Sequence, residues 1–502
     1  MRSRLLLPAT AAALLLAATA WSEGVAPAKP TTVSLRAGGP APLDAVVIGI
    51  PGAHGPSGPS CRQALGLEDA TPSPEPEEED GDEAPEGSAT PDPTPEPTPA
   101  PSITLDQSSL EPGKLSGQDP RTLPPQPLEG PVEVLRPIVE LMRRGDAGES
   151  LRMSFFGASH TGGDWWTGQI RRVLQDRWGD RGHGFVLPAA LYRGYRANDV
   201  NLCRTSGWEA DWAGKRSGRG DGLLGFAGMS VSSSDPEDFG WVETTSTNPH
   251  GRQVESFDVF TLGQPEGGTL AYVVDEAEPG TISTRAPEPM LQRTRLLVGD
   301  GPHRLALGPA GDGEVRIFGL SMERDVPGVI VDAMGIRGRQ AKTWLDWDWE
   351  LAGQGIATLD PDLVVLAYGT NEAADTRYSM DQYRQDLHAV LERMRTAVPW
   401  STACVLVGPS DRVKNRGRGR YSVWERTAEV AQVQREVAPL HGCAFWDWQA
   451  AMGGPGSMLT WRMQDPPLAA RDLIHHSKAG YELIADRFVT AMDALSLDPR
   501  FR

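Results

Sequence analysis

The chain has 502 residues and a formal net charge of −19, but the charge is unevenly spread: residues 63–113 hold 14 acidic side chains and no Lys or Arg. The rest is only mildly acidic and lacks the basic stripe that an electrostatic nucleic-acid binder needs, so that class is excluded. With 39% hydrophobic residues overall, the chain can still bury a core.

In chain order, the first element predicted is a secretory signal over residues 1–20. Met1 to Arg4 is basic, Leu5 to Leu16 is rich in Leu and Ala, and Ala18-Thr19-Ala20 is a small-x-small cleavage site. The apolar run is short for a membrane span of about 20 residues. No cysteine follows closely enough for a lipid anchor, and no later segment is apolar enough to span a bilayer. The expectation is an exported protein, periplasmic or extracellular, with no stable transmembrane segment after signal cleavage.

Residues 21–66 stay unassigned and weakly ordered, with one candidate strand over Asp44–Gly49. Residues 67–130 are rich in Pro, Glu, Asp and Thr, and 16 of the 43 prolines fall between Pro72 and Pro131. Such a segment cannot bury enough apolar surface to offset its ordering entropy, so it reads as an extended, disordered tether.

Folded sequence is expected from Pro131. A helix is predicted over Val132–Arg144, with Pro137 as an alternative start, then a strand over Leu151–Gly157 and a helix over Trp165–Trp178. After a long gap come strands at Pro327–Met334 and Leu363–Tyr368, a helix at Met380–Val398, and a strand at Cys404–Val407. A helix at Val423–Val437, a strand at Cys443–Trp448 and a helix at Ala479–Leu495 complete the series. The continuous apolar strands and the strand–helix alternation predict a parallel sheet covered on both faces. Between Arg196 and Asp325 helical periodicity fades. Short runs such as Phe257–Leu262, Thr269–Val274 and Glu314–Leu320, separated by turn residues, predict an inserted all-β sandwich. The predicted domains are therefore 131–200 with 325–502 for the α/β part and 201–324 for the insert.

Export permits disulfides. The spacing of Cys61, Cys203, Cys404 and Cys443 is unlike a zinc site. Cys404 and Cys443 open two consecutive predicted strands, and either a disulfide or two buried thiols fits.

Open α/β sheets place their sites at the carboxyl ends of strands. The first strand ends in Gly157-Ala-Ser159-His160-Thr161, the second leads to Gly335-Ile-Arg-Gly338, and the third ends in Gly369-Thr-Asn371-Glu372. A serine at such a turn exposes its oxygen, an asparagine there can aim its amide at an oxyanion, and Gly338 can offer an unobstructed N–H. Asp472 stands three residues before His475, where a carboxylate can accept the imidazole Nδ1–H and leave Nε2 facing a nucleophile. Taken singly, each residue also reads as a helix cap or a turn residue. Two further Asp-x-x-His runs, Asp180 to His183 and Asp300 to His303, fall in Gly-rich turns and read as loops. His476 reads as structural or exposed.

The ordered set of Ser159, Gly338, Asn371, Asp472 and His475 resembles the SGNH (GDSL-type) hydrolase superfamily over residues 145–200 and 325–497. The resemblance implies a flavodoxin-like, three-layer α/β/α fold, with Ser159 as nucleophile, His475 as base and Asp472 orienting it. It implies an oxyanion hole made by the Ser159 N–H, the Gly338 N–H and the Asn371 amide, and no metal or other cofactor. The chain is most similar within that superfamily to bacterial peptidoglycan O-acetylesterases, which carry a carbohydrate-binding-like β insert, a Ser-His-Thr-x-x-Asp start (here Ser159 to Asp164) and a Gly-Ile-x-Gly…Trp pattern (here Gly335 to Trp344). One departure is Ala158, where the block usually has Asp, and it puts the firmness of the Ser159 turn in question.

The implied activity is hydrolysis of O-acetyl esters on a polysaccharide, peptidoglycan above all, with cell-wall contact. An O-acyltransferase with the same triad, a lysophospholipase-type esterase and a non-catalytic wall-binding protein are the alternatives. Of the 15 tryptophans, most are expected in the core, with some left to face sugar rings.

Overall fold

The computed structural model describes residues 31–33, 45–50, 119–189 and 195–501, so the predicted signal and most of residues 21–118 lie outside the described residues. The central sheet holds strands β1 (Leu151–Gly157), β2 (Val329–Gly335), β3 (Leu363–Ala367), β4 (Ala403–Val407) and β5 (Ala444–Trp446). All pairs are parallel and the order is β2-β1-β3-β4-β5, the flavodoxin-like order. Helices α1 (Val132–Asp146), α2 (Trp165–Trp178), α3 (Trp349–Leu359), α4 (Met380–Ala397), α5 (Arg426–Val437) and α6 (Lys478–Leu497) flank it.

Side chains alternate across a strand, and the two faces are filled accordingly. Met153, Phe155, Val365 and Val405 join a core with α1, α2 and α6. Phe156, Val364, Leu366 and Cys404 join a second core with α3, α4 and α5. Local signals fix the helix starts: Asp348, Ser379 and Ser477 each accept a hydrogen bond from a backbone N–H in the first turn of α3, α4 and α6. Helix α1 starts at Val132 and runs through Pro137, so the proline does not mark its beginning. The carbonyl that Pro137 leaves unpaired belongs to Glu133, which is exposed. Helix α3 lies between β2 and β3, where no helix was predicted. Gly353 and Gly355 weaken its helical signal, and a Cβ on Gly355 would stand 2.6 Å from the Phe226 side chain.

Two antiparallel sheets pack against each other beside this unit. One contains Met290–Gly301, Val254–Gly263, Val315–Glu323, Met229–Ser233 and Glu209–Trp212, and the other Gly280–Ser283, Thr269–Val274, Arg304–Pro309, Gly240–Thr244 and Val200–Arg204. Val231, Val259, Leu270, Leu296, Leu305 and Ile317 lie in the core between them. The boundaries differ from those expected. Gly184–Val186, predicted with the α/β part, pairs with Val315–Glu323, and Ala45–Gly49 adds a parallel strand to Met290–Gly301. Residues 119–130, predicted as tether, are ordered against the α/β unit. Leu128 is buried, Glu129 bridges Phe445, and Arg487 donates to the carbonyls of Pro120, Leu123 and Pro124.

Cys404 and Cys443 form a disulfide, which settles the choice between a bridge and two thiols. Cys203 is also disulfide-bonded, while Cys61 lies outside the described residues. Among the described residues, no helix is long and apolar enough to cross a membrane.

Candidate active site

The carboxyl ends of β1, β2 and β3 abut. Ala367 pairs with Gly157, Gly335 pairs with Gly157 from the other side, and the Ile336 N–H donates to the Gly157 carbonyl at 3.0 Å. Ser159 opens a short helix, Ser159–Gly162, directly after β1, so its N–H precedes any intrahelical partner. The Ser159 hydroxyl lies 2.9 Å from His475 Nε2, and His475 Nδ1 lies 2.5 Å from Asp472 Oδ2. The other oxygen, Asp472 Oδ1, accepts the N–H groups of Ile474 and His475, both at 2.9 Å. This Asx-type turn puts Leu473 at φ 57°, and it locks the carboxylate against the ring it orients. Burial alone would favour the neutral acid. The hydrogen bond and charge of His475, with the two backbone N–H groups, instead hold Asp472 well below the usual carboxylate range.

Gly338 has φ +69° and open space on the side where a Cβ would stand, and no hydrogen bond to its N–H is found among the described residues. Asn371, in the short helix Thr370–Ala374, donates from Nδ2 to the Arg339 carbonyl at 2.9 Å, which brings its amide beside Gly338. The fold thus brings Ser159, His475 and Asp472 into one hydrogen-bonded chain and sets Gly338 and Asn371 together at the same edge of the sheet. The arrangement can take a proton from the serine and offers N–H donors for a developing oxyanion. The other two Asp-x-x-His runs form no such chain. His183 bonds the Asn198 carbonyl, and His303 bonds Asp275 while Asp300 pairs with Arg324. His476 is buried and stacks on Trp448, and burial with the nearby His475 lowers its pKa to about 3.

The GDSL-like lipase/acylhydrolase family model matches residues 308–483. That span holds Gly338, Asn371, Asp472 and His475, with Ser159 on the far side of the β insert. A solved structure described as a peptidoglycan O-acetylesterase in action matches with a TM-score of 0.58 and 26% identity, over 72% of this chain and 96% of that one.

The chain resembles SGNH (GDSL-type) hydrolases.

It is a carboxylic ester hydrolase, similar to peptidoglycan O-acetylesterases. A two-domain esterase active on acetylated mannans also matches, over 74% of this chain and 56% of that one, at 10% identity and a TM-score of 0.34. No curated protein matches the chain.

Three groups around the hydrolase site were given no role by sequence reasoning. His160 is buried beside His475, with Nδ1 2.8 Å from the Tyr481 hydroxyl and Nε2 3.1 Å from the Ser410 hydroxyl. Burial, then the neighbouring His475 and His476, lowers its pKa well below the usual value. Asp164 accepts hydrogen bonds from Thr167 and Asn198 and pairs with Arg171, which pins the turn from Ser159 into α2 even though residue 158 is alanine. Glu372 is fully buried one residue after Asn371. His160 and Asp164 carried a sequence signal as members of the Ser-His-Thr-x-x-Asp run, whereas Glu372 had only its place after Asn371.

Proposed function

We propose that this hydrolase is an exported serine esterase that removes O-acetyl groups from a polysaccharide, with peptidoglycan as the substrate. The observation that carries the reading is the continuous chain from the Ser159 hydroxyl through His475 to Asp472. His475 takes the Ser159 proton as the oxygen attacks the ester carbonyl. The oxyanion lies among the Ser159 N–H, the Gly338 N–H and the Asn371 amide, where each donor contributes roughly 2.7–4 kcal/mol. His475 then protonates the departing sugar oxygen, and the same base activates the water that releases acetate.

The likeness to a peptidoglycan O-acetylesterase supports the substrate. The disulfides support export, since such bonds persist in oxidising compartments. Trp166, Trp344, Trp446, Trp448 and Trp461 are fully buried and unavailable to sugar, whereas Trp165 and Trp424, on segments next to the site, are half-buried.

The test is acetate release from O-acetylated peptidoglycan. Ser159→Ala should lower kcat by at least about 10³-fold with the fold intact by circular dichroism. A variant as active as the wild type would sink the serine-esterase reading.

A further inference from the structure

Beyond β4, the strands Val413–Asn415 and Tyr421–Val423 form an antiparallel hairpin. Its tip reads Lys414-Asn-Arg416-Gly-Arg418-Gly-Arg420, and every one of these residues is exposed. Gly417, Arg418 and Gly419 have φ of 77°, 54° and 73°, a left-handed turn that two glycines permit. Among the described residues, Lys414, Arg416, Arg418 and Arg420 make no ion pair. Arg416 Nε donates only to the Ser422 hydroxyl, at 3.0 Å. Several arginines elsewhere are matched, as Arg295 is to Asp258, Arg316 to Asp221 and Arg435 to Glu129. Four cations without an ion pair thus cluster on one short exposed turn in a chain of net charge −19.

The base of the hairpin is tied to the catalytic edge. Trp424, just past the second strand, donates from Nε1 to the Ala373 carbonyl at 2.7 Å, two residues beyond Asn371. The Arg412 guanidinium sits 4.8 Å from the Trp424 ring centre and feels the charge of Asp472, while Lys414 lies 5.4 Å from the same ring. Arg426 donates to the carbonyls of Asp375 and Tyr378, so the far side of the oxyanion loop is held to the same unit. The base of the hairpin thus lies beside the loops that carry Asn371 and Asp472.

We infer that the hairpin 413–423 is an exosite for carboxylates along an acidic polysaccharide, holding the polymer while one acetyl group enters at Ser159. The inference rests on the esterase reading above and specifies what that site recognises. An acetyl group offers little surface, so affinity for a polymer must come from remote contacts. Single exposed ion pairs contribute little. Four cations facing a string of carboxylates act together, raise the local polymer concentration and weaken with salt.

The test uses the full-length protein with Lys414, Arg416, Arg418 and Arg420 all changed to Ser, beside a control with the three arginines changed to Lys. Acetate release is measured on O-acetylated peptidoglycan and on a neutral acetylated glucan, and co-sedimentation is measured with de-O-acetylated peptidoglycan, each at low and high salt. The serine variant should lose about tenfold or more in kcat/KM on the acidic polymer, chiefly through KM, with a much smaller loss on the neutral one. High salt should reproduce that loss in the wild type, and the Lys control should keep most of the binding. Equal losses on both polymers, or unchanged sedimentation of the serine variant, would overturn the exosite. The sedimentation arm reads the exosite even where Ser159→Ala shows the esterase reading to be wrong.

Discussion

Glu372 Oε1 accepts the Ala341 N–H at 2.7 Å and Oε2 accepts the Gly369 N–H at 2.9 Å. One carboxyl group therefore staples the loop that carries Gly338 to the loop that carries Asn371. Burial raises its pKa to about 7, against the pull of these backbone donors. In the unfolded chain the group titrates near 4.3. The native state thus binds the proton more tightly, so the stability this group contributes is fully present below about pH 4.3 and is lost as pH rises toward about 7. Glu372→Gln removes that titration. Urea unfolding of both proteins across this window should show the wild type losing roughly 3 kcal/mol relative to the variant as pH rises. Parallel curves would show that Glu372 is not protonated in the native state. At neutral pH the variant should also turn over acetyl ester more slowly, because a Gln amide can accept from only one of the two loops.

At the scale of elements, the turn after β1 depends on close approach. A Cβ on Gly157 would lie 2.3 Å from the Thr161 hydroxyl oxygen and 2.7 Å from the Ala367 carbonyl oxygen. Gly157→Ala should push β1 from β3 and tilt the Ser159 turn, costing about 1–3 kcal/mol of stability, with a fall in kcat that exceeds any change in KM. Thermal unfolding and steady-state kinetics check this, and a wild-type kcat would show that the turn absorbs the methyl group elsewhere. The same segment explains what could be read from sequence. Runs such as LVVLA of β3 are apolar because both faces are covered, and the residues that follow β1, β2 and β3 stand out because sites form at strand ends. What stayed hidden depends on distant partners. Ala45–Gly49 was legible as a candidate strand, but its pairing with Met290–Gly301 was not, since no local pattern reports a partner across that separation. Residues 119–130 have the composition of the tether, yet Arg487 supplies donors to their carbonyls and Leu128 finds a pocket. Glu372 and Asp164 look like ordinary turn acids until the fold removes their water.

At the scale of the whole molecule, the insert and the α/β unit are joined by a buried charge network at the opposite end of β1 from Ser159. Arg152 on β1 pairs with Asp332 on β2 at 2.9 Å and with Glu323 at 2.7 Å, and donates to Ser321 at 2.7 Å, the latter two on an insert strand. Glu323 also meets Arg295, which with Arg293 holds Asp258 within the insert. Burial opposes the Glu323 charge, but Arg152 and Arg295 keep its pKa below the usual carboxylate range. Such a network is weak evidence for stability as a whole, yet removing one member leaves uncompensated charge. Arg152→Met should therefore destabilise the protein by about 3–5 kcal/mol at neutral pH. The sign of its pH dependence separates this cause from a simple packing defect. In the wild type, the contribution of Glu323 is present above its unfolded pKa and fades as acid protonates it. In the variant the buried carboxyl has lost its main cation and takes up a proton at higher pH, which relieves the penalty. The stability gap between the two proteins should consequently narrow as pH falls from 7 toward 4 in denaturant melts. A gap that stays constant would assign the loss to the missing side-chain volume rather than to unpaired charge at the seam.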